Sequence, residues 1–145
     1  MNNPTEIIIH CSATPVNWMA GQSVAAQANE IDRWHRDRGW RGIGYHAVLG
    51  RIGQIVPGRP EHIQGAHTKG RNKDTLAICL IGGHGSASTD DFFDNFTVEQ
   101  DASLREWIKE KIRQYPTIKG ISGHNQYAAK ACPGFNVKVW WENGK

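Results

Sequence analysis

Three residues equipped for chemistry crowd into one short stretch, HNQYAAKACPG (124–134): His124, Lys130 and Cys132. Neutral imidazole nitrogen and thiolate sulfur are good zinc ligands. His124 and Cys132 stand eight positions apart, and Pro133-Gly134 turns the chain directly after the sulfur. A loop of that length can fold both groups onto one ion. A catalytic zinc takes three protein ligands and leaves a fourth position for water. His10, closing the apolar run EIIIH, is the best third ligand, with His46, His67 and His84 as rivals. The spacing alone is not diagnostic, because a lone histidine is more often a packing or surface residue.

Two further residues give the cluster a reaction. A zinc hydrolase needs the metal to acidify its bound water. It also needs a group to stabilise the oxyanion formed when a carbonyl is attacked. Lys130, two residues before Cys132, can bring a cation near the metal. Tyr45, read as the start of a strand, can offer its hydroxyl to the water or the oxyanion. The same residues admit a metal-free reading, with Cys132 as nucleophile and His124 as base of a cysteine peptidase.

The elements that must position these residues follow from periodicity and capping. EIIIH (6–10) reads as a buried strand. SVAAQANEIDRWHRDRGW (23–40) reads as a helix: Ser23 caps it, Val24, Ala28, Ile31 and His35 recur at helical spacing, and Gly39 ends it. YHAVLG and QIVPG form a hairpin joined by Arg51-Ile52-Gly53. RPEHIQGAHTKGRNKD (59–74) is an exposed loop, LAICLIG a central strand and GHGSASTDDFFDN a second loop. Thr97 and Gln100 form a capping box ahead of Leu104, Trp107, Ile108 and Ile112, and Pro116 follows the end. IKGIS is a short strand leading into His124, and the tail NVKVWWENGK is a short closing helix. This order predicts one α/β domain over 1–145, a mixed central sheet flanked by helices.

Composition narrows the class. The 145 residues suit one core, and no apolar run approaches the roughly 18–20 residues needed to span a bilayer. The start lacks a basic n-region and a long apolar h-region, so synthesis in the cytoplasm without a membrane anchor is expected. Three cysteines, an odd count, argue against a disulfide framework. Cys79 and Cys11 read as packing residues. The net charge is +3, with nine basic residues against Asp37 and Glu61 between Arg33 and Lys73. Such a face suits an anionic polymer, but no nucleic-acid motif accompanies it, and no nucleic-acid partner is expected.

Taken together, HCSAT (10–14), WHRDRGW (34–40), GIGYHAVLGRIGQIVPGRP (42–60), GAHTKGRN (65–72), LAICLIGG (76–83), NFT (95–97), KACPGF (130–135) and WWE (140–142) give a resemblance over almost the entire chain. The sequence resembles the zinc-dependent N-acetylmuramoyl-L-alanine amidases, most closely the small phage lysozymes of amidase type (endolysins), which are related in fold to peptidoglycan recognition proteins. The resemblance implies a mixed sheet flanked by helices and hydrolysis of the amide between N-acetylmuramic acid and L-alanine of the stem peptide. It implies one Zn2+ per chain on His10, His124 and Cys132. Lys130 would polarise the carbonyl and hold the oxyanion, and Tyr45 would orient or help deprotonate the attacking water. His67 and Asn72, in the GAHTKGRN loop, would contact glycan or peptide.

The partner implied is peptidoglycan, met in the periplasm of a Gram-negative host after holin-type release, by a monomer. A phage RNA polymerase is a second candidate partner, since some such lysozymes bind it through their N-terminal region; only nine residues precede His10 here. Two other readings share the fold. One is a cytosolic amidase that recycles soluble muropeptides. The other is a non-catalytic recognition protein, against which Cys132 speaks, since such proteins typically lack the cysteine.

Overall fold

The computed structural model describes residues 3–144. Its sheet is built on β1 (Glu6–Cys11), whose six residues are all buried. Strand β1 pairs in parallel with β4 (Thr75–Leu80) on one side and with β5 (Gly120–Gly123) on the other. Strand β2 (Ala47–Leu49) lies parallel to β4, and β3 (Ile55–Pro57) closes the edge antiparallel to β2. The order is β3-β2-β4-β1-β5, a mixed five-stranded sheet between helices, as expected.

Strand side chains alternate between faces. Ile7, Ile9 and Cys11 join Leu76, Ile78 and Leu80 on the face covered by helices α2 (Phe92–Asn95), α3 (Val98–Gln114) and α4 (Val137–Asn143). Leu104 and Ile108 of α3 and Phe92, Phe96, Phe135 and Trp140 fill this layer. The opposite face carries Val48, Cys79 and Ile81 under Val24, Ala28 and Ile31 of α1 (Val24–Asp37). Parallel register sets His10 beside Cys79, so the histidine faces the α1 side. Strands β1, β4 and β5 run the same way, and their C-terminal ends form one edge where loops can meet, a common place for sites in α/β sheets.

The helix signals are realised. Ser23 Oγ accepts the Ala26 N–H at 3.1 Å. Thr97 and Gln100 cap α3 reciprocally. The buried Gln100 amide also donates to Leu49 O and Ile81 O, tying α3 to the ends of β2 and β4.

Three expectations are corrected. The loop GHGSASTDDFFDN contains α2, a single turn capped by Asp91 and Asp94, which is too short to show a period and is fixed by burial of Phe92 among Phe96, Phe135 and Trp140. Tyr45 precedes β2 rather than opening it, because β2 begins at Ala47; His46 N still donates to Ala77 O at 2.9 Å, so the pairing frays over two residues. The last strand begins at Gly120, not Ile118, whose side chain packs in the core. Lys145, the end of the predicted closing helix, lies outside the described residues.

Candidate active site

The end of β1 delivers His10, the end of β5 delivers His124, and the loop after a short 3-10 turn (His124–Gln126) delivers Cys132. That loop is pinned by Asn125, whose amide donates to Ala131 O and Phe135 O at 3.3 and 3.1 Å. Gly134 follows with φ +91°, and a Cβ there would lie 2.4 Å from Ser86 Oγ, so only glycine turns the chain here.

The ligand atoms of His10, His124 and Cys132 all lie within 4.8 Å of one another. Cys132 Sγ is 3.8 Å from His10 Nδ1 and accepts the Cys11 N–H at 3.3 Å. Sulfur at about 2.3 Å and nitrogen at about 2.0 Å from a tetrahedral zinc stand roughly 3.5 Å apart, so the donors fit that ion. Burial, then the neighbouring His67 and His124, holds His10 well below the ordinary imidazole range. Burial, then Lys130, lowers His124. Both imidazoles are therefore neutral at pH 7, with lone pairs free to bind. The hydrogen bond with Cys11 and burial hold the Cys132 thiol well up, so ligation has to displace its proton.

Tyr45 sits against His10, with ring centroids 5.1 Å apart, and against His35 at 5.4 Å. Burial raises its hydroxyl well above the usual phenol range, so it remains a donor at neutral pH. Its segment is held by two α1 side chains: His35 Nδ1 accepts the Gly44 N–H at 2.8 Å, and Asp32 Oδ1 accepts the Ile43 N–H at 2.7 Å. His35, mainly through burial, is lowered to about 4. The sequence marks His35 as a buried helix position but gives it no link to Tyr45, because Gly44 reaches it only in the folded chain.

His35, Tyr45, His124 and Cys132 line a groove of about 960 Å3, and His10 is buried beside them. Its walls carry Arg38, Lys69 and the exposed Lys130, with no carboxylate among the lining residues. Trp40 and Tyr127, each partly exposed, stand on the same walls. Arg38 lies over the Trp40 ring and Arg71 over the Tyr127 ring, and Arg71 is paired in turn with buried Glu6 at 2.6 Å. Of these, sequence reasoning singled out Lys130 alone as a site residue, since only the fold brings the others to one groove. A separate cavity of about 600 Å3 near Arg36, Arg41 and Arg59 holds none of the candidate residues.

The remaining histidines divide clearly. His46 uses both nitrogens internally, on Ala77 N and Ile63 O, and His84 is exposed outside the cluster. His67 and Asn72 line the groove but turn polar atoms to the protein. Asn72 Oδ1 accepts the N–H groups of His67 and Thr68 at 2.9 and 2.8 Å, and His67 Nδ1 lies 3.0 Å from His10 Nε2. Burial holds His67 down at about 3.

Residues 1–135 match the N-acetylmuramoyl-L-alanine amidase family. The chain belongs to that family. The amidase is 36% identical over 141 residues to the endolysin of Klebsiella phage KP32, covering 97% of this chain and 87% of the endolysin. Among solved structures it is similar to the N-acetylmuramoyl-L-alanine amidase LysC from Clostridium intestinale, with TM-score 0.75 and 28% identity, covering 94% of this chain and 80% of LysC. It is also similar to the ectodomains of peptidoglycan recognition proteins LCa and LCx in complex with tracheal cytotoxin, with TM-score 0.74 and 25% identity, covering 96% of this chain and 82% of the other. The protein is an enzyme that hydrolyses the amide between N-acetylmuramic acid and L-alanine in peptidoglycan.

Proposed function

We propose that this amidase is a phage-type endolysin, one domain over 1–145, that holds one zinc ion on His10, His124 and Cys132 and uses Tyr45 and Lys130 on the substrate. The observation that carries this reading is the convergence of two neutral imidazoles and a thiol within 4.8 Å, with His124 and Cys132 lining a cationic groove and His10 buried beside them. A zinc ion held there supplies Lewis acidity to the scissile carbonyl and makes water a competent nucleophile at neutral pH. Lys130 faces the same space, close enough for its charge to lower both His10 and His124, and its ammonium stabilises the oxyanion. The protonated Tyr45 hydroxyl orients the attacking water by hydrogen bonding. Water adds to the carbonyl, the C–N bond breaks, and the departing L-alanine amine takes the proton that the water gave up. The carboxylate-free walls, with Arg38 and Lys69, suit the anionic stem peptide.

The likeness to a phage endolysin supports lysis as the setting; the proposal places a monomer in the periplasm after holin-type release. Among the described residues no helix is long and apolar enough to cross a membrane.

The test is hydrolysis of purified Gram-negative peptidoglycan, with products identified by mass spectrometry, before chelation, after it and after zinc is restored. Free stem peptides beginning at L-alanine, lost on chelation and regained with zinc, are expected. Activity that survives chelation would point to a cysteine peptidase using Cys132 and His124. Cleavage of soluble muropeptides alone would indicate recycling, and zinc binding without cleavage a recognition protein.

A further inference from the structure

His10 has two ring nitrogens, and only one can serve a metal. Nδ1 faces Cys132 Sγ at 3.8 Å. Nε2 points the other way, 3.0 Å from His67 Nδ1 and 3.3 Å from Thr68 Oγ1. The chain of contacts continues: His67 Nε2 lies 3.1 Å from Thr75 Oγ1, and Thr75 Oγ1 donates to Arg71 O at 2.8 Å.

The carbonyl at the far end sets the direction of every bond. It can only accept, so the Thr75 hydroxyl proton is committed to it and the Thr75 oxygen accepts from His67 Nε2–H. Neutral His67 then carries a lone pair on Nδ1, which accepts from His10 Nε2–H either directly at 3.0 Å or through the Thr68 hydroxyl, which lies 2.9 Å from Nδ1 and 3.3 Å from His10 Nε2. That leaves His10 Nδ1 unprotonated and aimed at Cys132. In the opposite arrangement His67 Nδ1 donates, and its bare Nε2 faces Thr75 Oγ1. Thr75 must then give up its 2.8 Å bond to Arg71 O. Only the first arrangement keeps the Thr75 hydroxyl donating to a backbone carbonyl, Arg71 O at 2.8 Å with Asn72 O at 3.2 Å beside it.

We infer that His67 is a positioning residue that fixes the tautomer and ring orientation of His10, with Thr75 as its anchor and Asn72 holding its backbone in place. A metal-bound imidazole commonly has such a partner, whose loss weakens metal binding by about 10- to 100-fold. The assignment rests on the zinc reading proposed above.

The experiment compares wild-type enzyme with His67→Ala, His67→Asn and Thr75→Val. Zinc affinity is measured by chelator competition, the visible spectrum on the cobalt-substituted protein, and kcat and KM on peptidoglycan at saturating zinc. Asparagine can place an amide oxygen where Nδ1 stood, and Thr75→Val removes the distant acceptor while keeping side-chain shape, so both guard against a mere folding defect. Zinc should bind about 10- to 100-fold more weakly in His67→Ala, and less weakly in His67→Asn and Thr75→Val. The cobalt spectrum should shift, and kcat should fall while KM stays near the wild-type value. Unchanged zinc affinity and spectrum with a raised KM would overturn the inference and make His67 a substrate contact. A wild-type protein that binds no zinc would instead overturn the metal reading itself.

Discussion

The two faces of the central sheet are built from the same strands and do different work. On the α3 and α4 side, Ile7, Ile9, Leu76, Ile78 and Leu80 meet Leu104, Ile108, Phe135 and Trp140 in an apolar layer. On the α1 side, apolar packing gives way toward the C-terminal strand ends to His10, His35, Tyr45 and His46, every one bonded or stacked with another part of the chain. No buried side-chain nitrogen or oxygen lacks a partner among the described residues. Strand alternation is what separates the two. In β1, Ile9 and Cys11 take the apolar face, while His10 between them takes the face that carries the polar rings. Apolar packing around α3 can therefore be weakened without replacing a chemical group, although Cys132 itself packs against that layer.

Replacement of Cys132 should break the chemical side most completely. Cys132→Ala removes one of three donors, so zinc occupancy and hydrolysis should fall below detection while far-ultraviolet circular dichroism is retained; full zinc occupancy would refute the ligand assignment. Lys130→Ala should keep its zinc and lose roughly 100- to 1,000-fold in kcat, the size expected for losing an oxyanion partner. Tyr45→Phe should fall in the same direction, and a wild-type rate in either variant would remove that residue from the mechanism. On the apolar side, Leu104→Ala should lower unfolding free energy by about 2–5 kcal/mol in denaturant titrations. Its turnover per folded molecule should stay unchanged, and a large drop in kcat would show that the faces are coupled.

The mildest expected effect sharpens the comparison through pH. His35 has a folded value of about 4 against an ordinary 6.5, so below 6.5 the unfolded chain binds protons that the folded chain refuses. Stability of the chelated protein should be full above about pH 6.5 and decline as pH falls toward 4. His10 and His67, also lowered by burial, add in the same sense. Chemical unfolding at pH 7.5 and pH 5 checks this; equal stability at both would mean these rings are solvated.

Much of the site was legible in the sequence because its candidate ligands sit at element ends. His10 closes an apolar run, His124 follows a short strand, and Cys132 is marked by Pro-Gly. The convergence of the two histidines follows from parallel pairing of β1 and β5, which the element order left open within a mixed sheet. The resemblance put His67 and Asn72 in the groove, but the contacts of His67 with His10 and Thr75 were not legible. His67 lies 57 residues from His10, and Thr75 is an ordinary strand residue until its hydroxyl meets the His67 ring. Helix α2 was missed for a related reason, since one turn has no period and tertiary burial of Phe92 holds it. Gln100 was half legible: its capping role shows in the spacing from Thr97, while its amide bonds to Leu49 O and Ile81 O belong to the fold.

The central claim is that one zinc sits on two histidines and one cysteine and is needed for amide hydrolysis. Zinc content and X-ray absorption of the purified, active enzyme test it most directly. One zinc per chain is expected, with a single sulfur at about 2.3 Å and nitrogen at about 2.0 Å, and both metal and activity should disappear together on chelation. Full activity without zinc, or zinc without a sulfur ligand, would contradict it.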